Sequence, residues 1–192
     1  MGAIFQSLGR TVAAGVVLVV LLVVLFGNVQ LNMTWHAFFM RWLHVLSGVM
    51  WIGLLWYFNF VQIPSMPKIP DEQKPAIGKV IAPTALFWFR WAALATMVTG
   101  LFLASLNGYF VQALSFQKPF TAIGIGMWLG LIMAFNVWFI IWPNQKKALG
   151  MVTVTPEEKA KAGRLAMLTS RANTMLSIPM LYCMVAQQNG GF

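Results

Sequence analysis

Charge is what this 192-residue chain has least of: Asp, Glu, Lys and Arg together make up 9% of it, and only four residues are acidic. A water-soluble domain carries about 25% charged residues, because its surface has to hold water. With 59% of the residues apolar, the polar side chains cannot cover such a surface, so hydrocarbon has to take the place of water. Cysteine is scarce as well. Cys183 stands alone, which excludes an internal disulfide, a Cys-pair metal site and a c-type haem, whose attachment needs a C-x-x-C-H run. In its apolar surroundings Cys183 reads as a small buried hydrophobe. Acidic side chains are missing from every long apolar run, since Asp71, Glu72, Glu157 and Glu158 all lie between runs. A proton-driven transporter usually needs an intramembrane carboxylate, so transport is disfavoured. There is no phosphate-binding glycine loop, no Ser-His-Asp set and no H-E-x-x-H run.

What is present is oil, aromatics and a formal charge of +9, with nine Trp and fifteen Phe. The basic residues sit in short segments between apolar runs and form no continuous patch, which argues against nucleic acid as a partner. Five runs approach the ~20 residues needed to cross the hydrocarbon core. They cover Thr11 to Phe26, Trp35 to about Val61, about Leu86 to Leu106, about Phe120 to Trp142, and about Leu165 to Ala186. The first is almost pure Val, Leu and Ala and lacks a small-x-small cleavage signal, so it is expected to stay as a helix. The expected fold is therefore all-α and integral to the membrane. About five transmembrane helices are expected, the last four forming a bundle, with residues 1–33 as an N-terminal anchor and 34–192 as a four-helix membrane domain.

The loops set the direction. Arg10, Lys68, Lys74, Lys79, Lys146, Lys147, Lys159, Lys161 and Arg164 fall on one side. The uncharged stretch from Asn28 to Thr34 and the stretch from Asn107 to Pro119, with Lys118 alone, fall on the other. Basic residues collect in cytoplasmic loops, which predicts a cytoplasmic N-terminus, a periplasmic C-terminus and a bacterial inner-membrane location. The short uncharged tail from Gln187 to Phe192 predicts no soluble domain beyond it. Ser65 to Pro83 holds four prolines and is expected to be irregular or surface-lying. Thr155-Pro-Glu-Glu reads as a helix start, with Thr155 as N-cap and Pro156 in the first turn.

Ionisable groups inside a bilayer are costly and mark function. In the second run Arg41, His44, Gly48, Trp51, Leu55 and Asn59 fall within an arc of about 80° on a helix. One reading is a b-type haem held by His44, with Arg41 near a propionate and Gly48 letting the flat ring approach. The other is a buried His bonded to a neighbouring helix, with Gly48 as a packing notch. Both stay open. His36, a further candidate cofactor contact, lies eight residues from His44, roughly 12 Å along a helix, so the two cannot oppose each other on one iron. A second ligand would be a Met, with Met180 and Met184 as candidates. Arg90 and Arg171 near the basic ends of their helices are candidate anion or headgroup contacts. Ser170, Asn173, Thr174 and Ser177 share one side of the last helix, which must therefore face protein. Gly124, Gly126 and Gly130 predict close packing in the fourth.

Three stretches carry a family likeness. They are Arg41-Trp-Leu-His44-Val-Leu-Ser-Gly48-Val-Met-Trp51-Ile-Gly53 with Tyr57-Phe-Asn-Phe-Val-Gln62; Asn136-Val-Trp-Phe-Ile-Ile-Trp142-Pro-Asn-Gln145-Lys-Lys; and Asn173 through Met184 around Ser177-Ile-Pro179. Together, over about Trp35 to Gln188, they resemble the membrane domain of the cytochrome c-dependent urate hydroxylase (urate oxidase N-terminal-like) family. The resemblance implies a short form without the cytochrome c domain that full-length members carry after the last helix. This chain has Ala172 and Gln188 where family members often carry histidines. The His-x-x-x-Gly-x-x-Trp-x-Gly part is also similar to wider bacterial membrane families that hold haem or handle copper.

Sequence and resemblance together lead to one expectation and two alternatives. The expectation is a small integral-membrane subunit, accessory or electron-transfer, of a larger respiratory or monooxygenase-type oxidoreductase, with haem b at His44 as its candidate cofactor. It is a non-catalytic subunit rather than a self-sufficient enzyme, and its partners are the lipid bilayer, other membrane subunits and a separate cytochrome c. The alternatives are an enzyme oxidising urate or a related purine with an external cytochrome c, and a copper-handling membrane protein with His44 as metal ligand and Met side chains as soft ligands.

Overall fold

The structure, a computed structural model, describes residues 2–27 and 29–191. Asn28, the first residue of the expected uncharged loop, and Phe192, the last of the tail, lie outside the described residues. Helix accounts for 84% and no strand occurs among the described residues, in agreement with the all-α expectation. The helices are α1 (Gly2–Phe5), α2 (Leu8–Phe26), α3 (Met33–Lys68), α4 (Lys74–Leu106), α5 (Phe110–Leu114), α6 (Thr121–Ala148) and α7 (Pro156–Asn189). The chain groups into two compact units, one reaching to Phe38 and the other running from Phe39. In the first unit no residue of α2 is buried. In the second, α3 from Phe39 onward, α4, α6 and α7 surround a common core.

Four helices, α2, α3, α4 and α6, are long and apolar enough to cross a membrane. Three of them run beyond the expected limits, because helix continues through the prolines. Helices α3, α4 and α6 each carry a π-helical segment: Tyr57–Gln62, Ile77–Ile81 and Asn136–Ile141. Each segment ends two residues before a proline: Pro64, Pro83 and Pro143. Proline removes a backbone donor and its ring collides with the carbonyl four residues back. Here that carbonyl belongs in turn to Phe60, Lys79 and Phe139, all inside the widened turns. The segment Ser65 to Pro83, expected to be irregular, is for this reason mostly helical. Only Ile69 to Gln73 breaks the helical run. Asp71 sits in that break and accepts a 2.6 Å bond from Lys74, which holds its carboxyl below its ordinary range.

Helix α7 begins as the sequence predicts. Thr155 caps it, with its hydroxyl accepting from Glu158 N at 3.2 Å while the Glu158 carboxylate accepts from Thr155 N at 3.1 Å. It ends at Gly190, whose φ of 65° suits a residue without a side chain. The tail is anchored: Gln187 accepts from Ile123 N and donates to the Pro119 carbonyl.

The core contains Trp51, Leu55, Phe89, Met133 and Val137, all essentially inaccessible, together with Asn173 and Ser177. In lipid, apolar packing gains little from excluding water, so close fits and polar bridges have to hold helices together. Both are present. Gly126 lies so close to Cys183 that a Cβ there would stand 3.1 Å from the Cys183 Cβ. Gly124 leaves room only for the Ala113 carbonyl. Asn136 donates to Asn173 at 2.8 Å, Asn173 to the Met133 carbonyl at 2.9 Å, Asn59 to Ser170 at 2.8 Å, and Trp56 to Ser177 at 3.0 Å. Such interhelical bonds contribute about 0.6–2 kcal/mol each. The polar side of α7 thus faces protein, as expected, and it is also why α7 falls short of the apolarity of the other long helices.

Candidate functional site

Between α3, α4, α6 and α7 lies a largely apolar cavity of about 620 Å³, within the size range of small-molecule and cofactor sites. The helical stripe Arg41, His44, Gly48 and Trp51 lines one wall of it. Leu55 and Asn59, further along the stripe, pack into the core below.

His44 is held firmly. Its Nδ1 lies 2.9 Å from the Thr96 carbonyl oxygen, and the Thr99 hydroxyl lies 3.4 Å from the same nitrogen. A carbonyl can only accept, so Nδ1 carries the proton and donates, which leaves Nε2 as the unprotonated nitrogen. Nε2 has no hydrogen-bond partner among the described residues. The glycine that makes room for the imidazole is Gly100 of α4. A Cβ at Gly100 would fall 2.8 Å from His44 Cε1 and 3.0 Å from Nδ1, whereas one at Gly48 would make an ordinary 3.9 Å contact with Thr96 Cγ2. Thr96, Thr99 and Gly100 escaped the sequence reading. Their signal was a run of small and hydroxyl-bearing residues in an otherwise bulky apolar helix.

At one end of the cavity Arg41 meets Gln188. Nη1 reaches Gln188 Oε1 at 3.4 Å, and with the amide turned over, its oxygen accepts from Nη2 at 3.2 Å and Nη1 at 3.3 Å. Arg41 Nε is buried with no partner. Tyr109 lines the same end; burial pushes its hydroxyl above the usual range while the positive charge of Arg41 opposes the rise. Trp51 Nε1 is also buried and unpartnered. Four methionines line the walls, Met97, Met127, Met180 and Met184, and the two from α7 are the pair singled out in the sequence. Gln188 thus stands at the cavity's polar end.

The other candidates lie elsewhere. His36 is exposed, with Nδ1 2.7 Å from the Asn32 carbonyl, and belongs to the unit that ends at Phe38. Arg90 stacks on Trp142, its guanidinium carbon 3.2 Å from the ring centroid. Arg171 is exposed on α7. Among the described residues no three His, Cys, Asp or Glu side chains gather in a metal-binding group.

The family model described as urate oxidase N-terminal matches residues 109–190. The match takes in Tyr109, α6 and α7, and so the wall of the cavity that carries Met127, Gly130, Met180, Met184 and Gln188. His44 and Gly100 precede it. No curated protein and no solved structure matches the chain. The motifs around Asn136 and Asn173 fall inside the matched stretch, and residues 109–190 are similar to the urate oxidase N-terminal family.

Proposed function

We propose that the chain is a small integral-membrane subunit, accessory or electron-transfer, of a larger respiratory or monooxygenase-type oxidoreductase, and that it holds a b-type haem at His44. One observation carries the reading: His44 is fixed through Nδ1 against Gly100, and its Nε2 is left without a protein partner in a side chain that lines a cofactor-sized apolar cavity. A ligating histidine typically donates its other ring N–H to a carbonyl in this way, which fixes tautomer and orientation. Met180 or Met184 would help to hold the group from the α7 wall, and Arg41 with Gln188 would receive its propionates. Bound haem would supply one-electron transfer at a potential set by its axial ligands and the burial of the site. The chain's own part is to orient the imidazole, exclude water with methionine and aliphatic walls, and neutralise the anionic edge.

In this reading the bundle lies in a bacterial inner membrane with α7 as the fifth span, its polar side turned inward. The excess of basic residues on one side supports a cytoplasmic N-terminus. Arg41, Tyr109 and Gln188 then mark the periplasmic end, where a separate cytochrome c would meet the site. Oxidation of urate or a related purine with that cytochrome is the second reading, and the match over residues 109–190 is what favours it. The methionine lining keeps copper as a measurable third outcome.

The test is a visible spectrum and metal analysis of the full chain purified from native membranes with whatever travels with it. A Soret band that disappears in His44→Ala, together with copurifying membrane subunits, is the expected result. Copper without haem, or a Soret band untouched by His44→Ala, refutes the haem assignment. Urate-dependent reduction of added cytochrome c by the isolated chain refutes the subunit role.

A further inference from the structure

A second site lies away from the cavity, on the face shared by α4 and α6 toward their lysine-bearing ends. Arg90 of α4 lies over Trp142, its guanidinium carbon 3.2 Å from the ring centroid, with the Trp138 centroid at 5.9 Å. Lys146 Nζ approaches the same Trp142 ring at 5.5 Å. Contact with a ring face uses the guanidinium's charge and does not consume its N–H donors. Arg90 Nε, Arg90 Nη1 and Trp138 Nε1 are all buried, and none has a hydrogen-bond partner. No carboxylate meets Arg90 either. The single ion pair among the described residues joins Lys74 to Asp71, and the four acidic residues are confined to positions 71, 72, 157 and 158. Three unsatisfied donors around two cations call for an anion rich in acceptor oxygens.

Trp138 also ends an apolar groove of about 720 Å³ that follows α6 past Phe135 and Ile132 to Trp128, with Leu94 of α4 beside it. From Trp138 to Trp128 is ten residues, roughly 15 Å of helix, and the groove wall is almost wholly apolar. A molecule that fits both parts has a phosphate at one end and a hydrocarbon chain running from it. Tryptophan at the headgroup level suits that position.

We propose that Arg90, Trp138 and Lys146 bind the phosphate of an anionic phospholipid, and that one of its acyl chains lies in the groove between Trp138 and Trp128. Leu131 alone lines both the groove and the His44 cavity, and none of Arg90, Trp138 and Lys146 lines that cavity, so the site stands or falls apart from the haem reading.

Native mass spectrometry of the detergent-purified full chain tests it, with short-chain phosphatidylglycerol, phosphatidylcholine and inorganic phosphate as separate probes. The wild type is expected to keep one phosphatidylglycerol preferentially. Arg90→Gln should weaken retention at least tenfold and Trp138→Phe several-fold, while Lys159→Gln, exposed at the start of α7, leaves it unchanged. If Arg90→Gln does not fold, Trp138→Phe decides, since it keeps an aromatic ring at the end of the groove and removes the indole N–H donor. Equal retention of both lipids, displacement by inorganic phosphate, or full retention in the variants overturns the proposal.

Discussion

Substituting Gly100 by alanine sets a methyl group against the imidazole of His44. The new Cβ would stand 2.8 Å from Cε1 and 3.0 Å from Nδ1, while carbon atoms settle at about 3.5–4.0 Å. The ring must therefore retreat by at least about 0.7 Å on that scale. Directed along the bond, such a shift stretches the 2.9 Å contact with the Thr96 carbonyl toward roughly 3.6 Å, where it no longer counts as a hydrogen bond. Overpacking of a fitted site costs about 1–3 kcal/mol, and losing the bond adds about 0.5–1.5 kcal/mol. On the proposed haem reading, and since 1.4 kcal/mol is a factor of ten, Gly100→Ala should retain haem at least roughly tenfold more weakly. The control is Gly48→Ala, whose Cβ meets only Thr96 Cγ2 at 3.9 Å. Alanine's helix propensity favours both variants by a similar amount, so the comparison cancels it. The assay is haem stoichiometry and Soret position in detergent, with thermal unfolding of the haem-free chain as a second readout. Equal behaviour of the two variants would refute the assignment of Gly100 as the notch for His44.

Asn173→Leu should lower the unfolding midpoint in detergent by an amount equivalent to about 1–3 kcal/mol, because it leaves the half-buried Asn136 without its acceptor and the Met133 carbonyl without its donor. Adding Asn136→Leu should restore most of the loss, and a double variant worse than the single one would count against the bridge. Tyr109 ionises later in the folded chain than in the unfolded one, since burial raises its hydroxyl. Its contribution is therefore intact below about pH 10, the ordinary tyrosine value, and is lost as pH rises through the folded value. Tyr109→Phe should flatten that part of the alkaline decline in stability, and an unchanged pH profile would contradict the burial argument.

The stripe from Arg41 to Trp51 was legible because the α-helix carrying it is uninterrupted as far as Trp56, so counting by 100° keeps its meaning. The capping box at Thr155 was legible because it is a local pattern, complete within four residues. The prolines between Ser65 and Pro83 misled because their usual effect is to break helix, and no sequence rule announces that a widened turn will absorb the clash at Phe60 or Lys79. Gly100 was illegible for a different reason. A glycine's use depends on what faces it, and His44 lies 56 residues away in the chain. Arg90 and Arg171 looked alike in sequence, and only the packing of α4 on Trp142 separates a stacked cation from an exposed one. The polar residues of α7 were rightly placed toward protein, but their partners Trp56, Asn59 and Asn136 lie on distant helices.

Those polar residues have a consequence for biogenesis. A helix enters a bilayer unaided only when its own side chains favour hydrocarbon, and α7 offers Ser170, Asn173 and Ser177, which take hydrogen bonds from α3 and α6, while Ser177 also donates to the Thr174 carbonyl of its own helix. With α7 as the proposed fifth span, its insertion is conditional on earlier segments already standing in the membrane, and the chain would assemble in order from its N-terminal side. An isolated α7 offered to microsomes should stay outside the membrane, whereas the same helix following α3 to α6 should integrate.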